Sequence, residues 1–413
     1  MKLTRTSPLI SIAENPDKRS IASAVSQTSL TASDSGSNHD EEDYVMSPQF
    51  AQTLVSRTER KVKAFLEASQ WVRDHISNLD QIPRLSAATD FVAGRVIAEG
   101  GFSNIHEITS FCDTAAFDNN SNNNTKKKKS YVVKRLKPQL ALNPPKLRAA
   151  AKDICNEIHV LSSLDHPNIV RVQALSTTGI EAIAETCRVD SFFLILERLD
   201  QTLLHKISQW RQEGIRANAL ALNKLHKCPH TQRLFRERMG VAHQVASALA
   251  YLHQHRILHN DIKPGNIGFD DTGVVKMFDF GLAVELPNDT DTFDLGNAGT
   301  PRYQANEVLK KQPYNMKAES YSLAMLLWEI TSLTKPFACL DENEVKQSVT
   351  QINYRPGIPR SWPRALRRLV AKGWSKRMTQ RPTMAEMKAS LEQIASHDYS
   401  RSSSGTMASL LFR

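Results

Sequence analysis

Apolar and polar positions divide the chain into stretches of different texture. Residues 1–46 are rich in Ser, Thr, Asp and Asn with few aromatics, and cannot bury enough apolar surface to offset the entropy of ordering. They are expected to form a disordered tail. Ser47 and Pro48 then make a good helix cap and first turn, and Phe50, Leu54, Val62, Phe65, Val72, Ile76 and Leu79 come next at close to helical spacing. This predicts a long amphipathic helix, and an extension over 47–91 that packs on the domain after it or docks a regulatory partner.

From Phe91 the pattern becomes that of strands: FVAGRVIAEGG, FSNIHEI and YVVKRL. Between the second and third lies a polar insert over 111–130 containing NNSNNNTKKKKS, read as a hairpin loop grown outward. After Pro144 and Pro145, Leu147, Ala150, Ala151, Ile154, Ile158 and Leu161 mark one helical face, with Glu157 off it. DHPNIVRVQAL returns to strand, and the continuous apolar run SFFLILERL reads as a central strand. Beyond Asp200 helical patterns dominate, and the helix carrying Leu234, Val241, Val245, Leu249 and Leu252 delivers the chain to His259.

Composition narrows this picture a little. With 413 residues and 40% apolar content, the chain can fill a large two-lobed domain with tails. The net charge of +10 is thinly spread, with no basic stripe interleaved with aromatics, so nucleic acid is not the expected partner. Five scattered cysteines suit a reducing interior, and the expected location is cytoplasmic, with the lysine run at 126–129 leaving a nuclear one open. No stretch approaches the roughly 20 apolar residues of a membrane span.

Candidate chemistry gathers around HNDIKPGNIGF, residues 259–269. Phosphoryl transfer asks for something to hold phosphates, a divalent metal to bridge them and a carboxylate to orient the attacking hydroxyl. The glycine turn IAEGGFSNI can lie over phosphates, Lys134 ends a strand, and Glu157 can pair with it. Asp261 is the candidate base, Lys263 a neutraliser of the transferred group, and Asn266 and Asp279 the metal ligands. The turn alone would be a weak signal, since a glycine pair in a hairpin is usually only a turn. HNDIKPGN followed closely by DFG is a strong one.

On these motifs, with GTPRYQANE at 299–307 and the late Arg381 and Pro382, the chain resembles the eukaryotic protein kinase superfamily over residues 92–396. DIKPGN resembles the serine/threonine form, and INYRPGIPRSWPRALRRLVAKGWSKRMTQRPTM resembles the tyrosine-kinase-like group. The resemblance implies an α+β, two-lobed fold: an N-lobe over 92–197, with an antiparallel sheet and one key helix, and a mainly helical C-lobe over 200–396. A Ser-rich tail over 397–413 ends the chain. The resemblance also implies Mg-ATP as cofactor, Mn2+ able to replace Mg2+, and protein hydroxyls as substrates. Nucleotide contacts would come from Ile97, Ala98, Gly100, Gly101, Phe102, Ser103 and Ile105 of the turn, from Val132 and Lys134, from Leu196, Glu197 and Leu199 at the linker, and from Gly268 on the floor. Thr300 would bond Asp261 and Lys263.

Departures from the family pattern matter too. Ala98 and Ser103 stand for two glycines of the turn, and Asn260 for an arginine that receives an activation-segment phosphate. Gly268 stands for a large floor residue, which predicts less apolar area against the base and weaker nucleotide binding. Glu319 and Ala324 replace an Asp and a Gly, while Glu307 and Arg381 keep an expected pair. These changes motivate the alternative function, a pseudokinase scaffold.

Overall fold

The computed structural model describes residues 44–112, 130–221, 229–288, 291–296 and 298–396. The tail over 1–43, most of the 111–130 insert with its lysine run, and the tail from 397 onward lie outside the described residues. Helix α1 spans Pro48–Ala68, with the Ser47 side chain accepting from the Phe50 amide as the sequence predicts. The long helix does not run on to Leu79. Ser69 is extended (φ −97°, ψ 108°) and its hydroxyl accepts from the Val72 amide, so it ends α1 and caps a second helix, α2, Gln70–Asp74. The apolar period continues through the break, which is why the pattern reads as one helix.

The six strands of the main sheet lie in the order β1-β5-β6-β4-β3-β2, with β1 at Arg84–Leu85, β2 Phe91–Glu99, β3 Ser103–Phe111, β4 Tyr131–Leu136, β5 Val172–Ser176 and β6 Phe193–Glu197. The expected antiparallel pairing holds from β5 to β2. The extension is not wholly helical, because its Arg84–Leu85 adds a parallel edge strand to β5. Helix α3, Pro144–Ser162, starts on an Asn143 cap with Pro144 and Pro145 in its first turn. Its predicted apolar face is buried, and Glu157, off that face, is buried as well at 1% exposure.

Helices build the larger lobe. α4 (Pro229–Gln254) packs along α6 (Met384–Ser396), and α5 (Lys317–Ser332) is enclosed on all sides, with Leu323, Ala324, Met325, Leu326, Leu327 and Ile330 fully buried. Ala324 has room for its methyl because Gly373 faces it; a Cβ on Gly373 would come within 2.6 Å of the Ala324 Cβ.

One carboxyl in this core titrates out of range. Burial pushes Glu329 of α5 up to about 7, against the pull of the Tyr303 hydroxyl, which donates to it at 2.6 Å. A carboxyl raised in the folded state binds more protons there than in the unfolded chain. Its stabilising contribution is full below its ordinary value and lost as pH rises through about 7. Urea unfolding of the wild type should therefore lose stability between pH 5 and pH 8, and Glu329→Gln should flatten that loss. Equal slopes in the two proteins would refute the assignment.

Candidate active site

Lys134 sits on β4, an interior strand between β3 and β6, and its side chain is 12% exposed. Its ammonium lies 2.6 Å from Glu157 Oε2 and 3.1 Å from Asp279 Oδ1, joining strand, helix α3 and the loop after Val275–Met277. Burial pushes the Lys134 ammonium toward neutrality, but Glu157 and Asp279 outweigh it and raise its pKa. Lys134 in turn holds the Asp279 carboxyl below its usual range. The charged form of the lysine is thus fixed, and the sequence-predicted trio is brought together.

Asp261 is the centre of a second network. Its Oδ1 accepts from the Thr300 hydroxyl at 2.7 Å, and its Oδ2 from Lys263 at 2.6 Å and the Asn266 amide at 2.9 Å. Lys263 also donates to Thr300 at 3.2 Å. Thr300 reaches this place because Gly299, at φ +100°, passes against the preceding loop; a Cβ there would meet the Asn260 carbonyl oxygen at 2.2 Å. Backbone contact of that kind admits only glycine.

His259 has a role that the motif alone does not reveal. Its Nδ1 accepts from the Asp261 amide at 3.3 Å and its Nε2 lies 3.1 Å from the Phe278 carbonyl, a pattern satisfied by the tautomer protonated at Nε2. The ring thereby ties the Asp261 loop to the residue before Asp279. Glu319, one methylene longer than the family's Asp, still reaches this loop: Oε1 accepts from the His259 and Asn260 amides, both at 2.8 Å.

The glycine turn joins β2 to β3, closed by the Gly100 amide on the Ser103 carbonyl at 2.7 Å. Ile97 and Ala98 are among the last residues of β2 before the turn, Phe102 is exposed, and Ala98 pairs with Ile105 without a positive φ, so its methyl costs nothing in backbone strain. A Cβ on Gly101 would meet nothing within 4 Å, leaving this backbone open to a close-approaching anion. Val132 and Leu196 pair directly across β4 and β6, both 6% exposed. Gly268 does not leave the gap expected from the sequence. A Cβ there would strike Leu199 Cδ1 at 2.6 Å, so the linker leucine itself covers the place of the floor side chain.

These groups fit a nucleotide with a divalent metal. Among the described residues no protein carbonyl accepts from the Leu199 amide, which leaves the linker a donor for a flat polar edge. Asn266 spends its amide nitrogen on Asp261, which leaves its oxygen, with the Asp279 carboxylate, as a hard donor set. The two loops are locked together by the Phe278 amide on the Asn266 carbonyl at 3.1 Å.

At the position of the family's arginine, the segment after Asp279 is fastened by an amide instead of a guanidinium. Asn260, at φ +65°, donates to the Leu282 carbonyl at 3.0 Å, and its oxygen accepts from the Tyr314 hydroxyl at 3.3 Å. Phe293 and Tyr314 exchange both backbone hydrogen bonds, at 2.9 and 3.0 Å. Farther on, Glu307 and Arg381 form a buried bidentate pair, with Nη2 to Oε2 at 2.9 Å.

A family model described as protein kinase domain matches residues 120–399. The chain is similar to a dual specificity protein kinase, shkB, of Dictyostelium discoideum: 35% identity over 155 residues, 37% of this chain and 24% of that protein. It is similar to the serine/threonine/tyrosine-protein kinase HT1 of Arabidopsis thaliana at 29% over 238 residues, 58% of this chain and 54% of the relative. The serine/threonine-protein kinase STY17 of Arabidopsis thaliana is 29% identical over 263 residues, 63% of this chain and 40% of the relative. The matched region thus spans between a quarter and about half of these relatives' lengths.

Proposed function

The chain belongs to the protein kinase family, and from that premise we propose that it is an active serine/threonine kinase that uses Mg-ATP, with Mn2+ able to replace Mg2+. The observation that carries the reading is the Lys134 ammonium held between Glu157 and Asp279, beside an Asp261 network with every member present. A scaffold that had abandoned catalysis would have no need to keep a buried lysine charged. When bound, Mg-ATP supplies the γ-phosphoryl group and the divalent charge that shields its oxygens.

The chain's own residues supply the rest. Lys134 binds phosphate oxygens, aimed by Glu157, and the open backbone at Gly101 lets the turn approach them. Asn266 and Asp279 would hold the metal. An ionised carboxylate has about four lone-pair sites. Asp261 uses two on Oδ2 and one on Oδ1, so Oδ1 keeps one site to accept the substrate hydroxyl, orient it and take its proton. Lys263 opposes the negative charge that builds on the transferred group.

Relatives named for serine/threonine, dual and tyrosine specificity leave the acceptor to be tested directly. Transfer from labelled ATP to generic protein substrates should require divalent metal and appear on serine and threonine. Lys134→Met and Asp279→Asn should each lower it by about 10²-fold or more, as loss of a charge-stabilising group does. A silent wild type, or two unaffected variants, would favour the scaffold. We place the protein inside the cell; the free thiols of Cys112, Cys155, Cys187 and Cys339 support a reducing setting.

A further inference from the structure

We propose that the helical extension ahead of β1 is a positioning element of the active site, acting through a buried carboxylate, Glu285, and that Ser69, Trp71 and Glu285 are its positioning residues. The catalytic part of this inference rests on the kinase reading; the mechanical part does not.

Glu285 lies in the short strand Val284–Glu285, six residues beyond Asp279, and its side chain is 5% exposed. One of its oxygens accepts from the Ser69 hydroxyl at 2.5 Å and the Trp71 amide at 2.9 Å, both at the junction of α1 and α2. The other faces Arg256 at 3.6 Å, just ahead of the strand Ile257–Leu258 that leads into the Asp261 loop. The Trp71 ring stacks on His255 with centroids 3.7 Å apart, and His75 lies on it at 3.8 Å. A carboxylate that leaves water recovers its solvation only through such partners, so these contacts fix the extension at one point.

The same extension reaches the site by a second route. α1 packs against α3, with Ala51, Leu54 and Val55 at its buried face. On α3, Asn156 neighbours Glu157 and donates to the Gly281 and Ala283 carbonyls at 3.0 and 2.9 Å. Gly281 also runs close to α3, since a Cβ there would meet Asp153 at 3.2 Å. The connections close a ring: α1 to α3 by packing, α3 to the segment 281–285 by Asn156, and the segment back to the extension by Glu285. Glu157 lies on α3 and Asp279 two residues ahead of the segment, so both partners of Lys134 adjoin members of the ring. A ring of this kind resists displacement of any one member, because moving helix α3 outward must break the Asn156 bonds or drag the segment and the extension with it.

The test uses the full chain. Ser69→Ala removes one hydroxyl, Glu285→Gln keeps size and shape, and Trp71→Ala removes the stack while Trp71→Phe keeps an aromatic ring. Hydrogen exchange is followed in peptides from α3, from 280–287 and from α5, alongside kcat. Ser69→Ala, Glu285→Gln and Trp71→Ala should speed exchange in α3 and 280–287 by about tenfold and leave α5 unchanged, as weakening of one local unit requires. kcat should fall in parallel, Trp71→Phe should recover most of both effects, and Ser69→Ala with Glu285→Gln together should cost less than the sum of the two single changes. Wild-type exchange in α3 and 280–287, or acceleration everywhere including α5, would overturn the proposal. A wild type without transferase activity would sink the kinase reading, while the exchange pattern would still decide whether the ring exists.

Discussion

Asp261→Asn should lower kcat by about 10²–10⁴-fold, the usual contribution of a positioned general base, with little change in the KM for ATP. The amide has nearly the volume of the carboxylate but only one acceptor oxygen. It cannot receive Thr300 on one side and both Lys263 and Asn266 on the other, as Asp261 does. The nucleotide contacts predicted for Lys134, Leu199 and the glycine turn are not touched, so the loss should fall on turnover. Steady-state kinetics, with a melting curve to show that the fold persists, would check this. A loss below tenfold would remove Asp261 from the role of base.

Arg381→Ala should destabilise the fold by about 3–5 kcal/mol, a large share of the roughly 5–15 kcal/mol that holds a domain together. The guanidinium donates to both Glu307 oxygens, to the Ser375 carbonyl at 2.9 Å and to the Lys317 carbonyl at 3.1 Å. Its side chain has no exposed surface and lies over the Tyr321 ring, 5.4 Å from its centre. Removing it leaves the Glu307 carboxylate buried without its counter-ion, and takes a donor from two backbone carbonyls. Urea unfolding should show the loss, and adding Glu307→Ala should cost less than the sum of the two single changes. Additive losses would mean that the pair is not coupled.

The site was legible where chemistry dictates adjacent residues. Asp261, Lys263 and Asn266 share one loop, and a phosphoryl-transfer loop cannot spread them apart, so the string itself carries the signal. Lys134 and Glu157 were legible as a strand lysine and a helix glutamate able to pair, while Thr300 became legible only through the family resemblance. What stayed hidden depends on contacts distant in sequence. Ser69 and Glu285 are 216 positions apart, and no periodicity connects them. Leu199 filling the place beside Gly268, and Gly373 making room for Ala324, are compensations between two chain segments; either residue read alone suggests a defect. The strands of five residues or more, and the long helices Pro144–Ser162 and Pro229–Gln254, were read from their apolar patterns. The two-residue strand Arg84–Leu85 is too short for alternation to register, and the break at Ser69 hides inside an unbroken apolar period, although a serine before Gln-Trp-Val was a visible cap.

The Asn260 amide lends the segment after Asp279 a particular character. Its two bonds, to the Leu282 carbonyl and from the Tyr314 hydroxyl, join neutral partners. Salt does not screen such a contact, as it would an ion pair, and no phosphate has to be added to make it or removed to undo it. At this point of the molecule the setting is inherited with the folded chain. Making this contact needs no upstream enzyme to add a charge, and breaking it needs none to remove one.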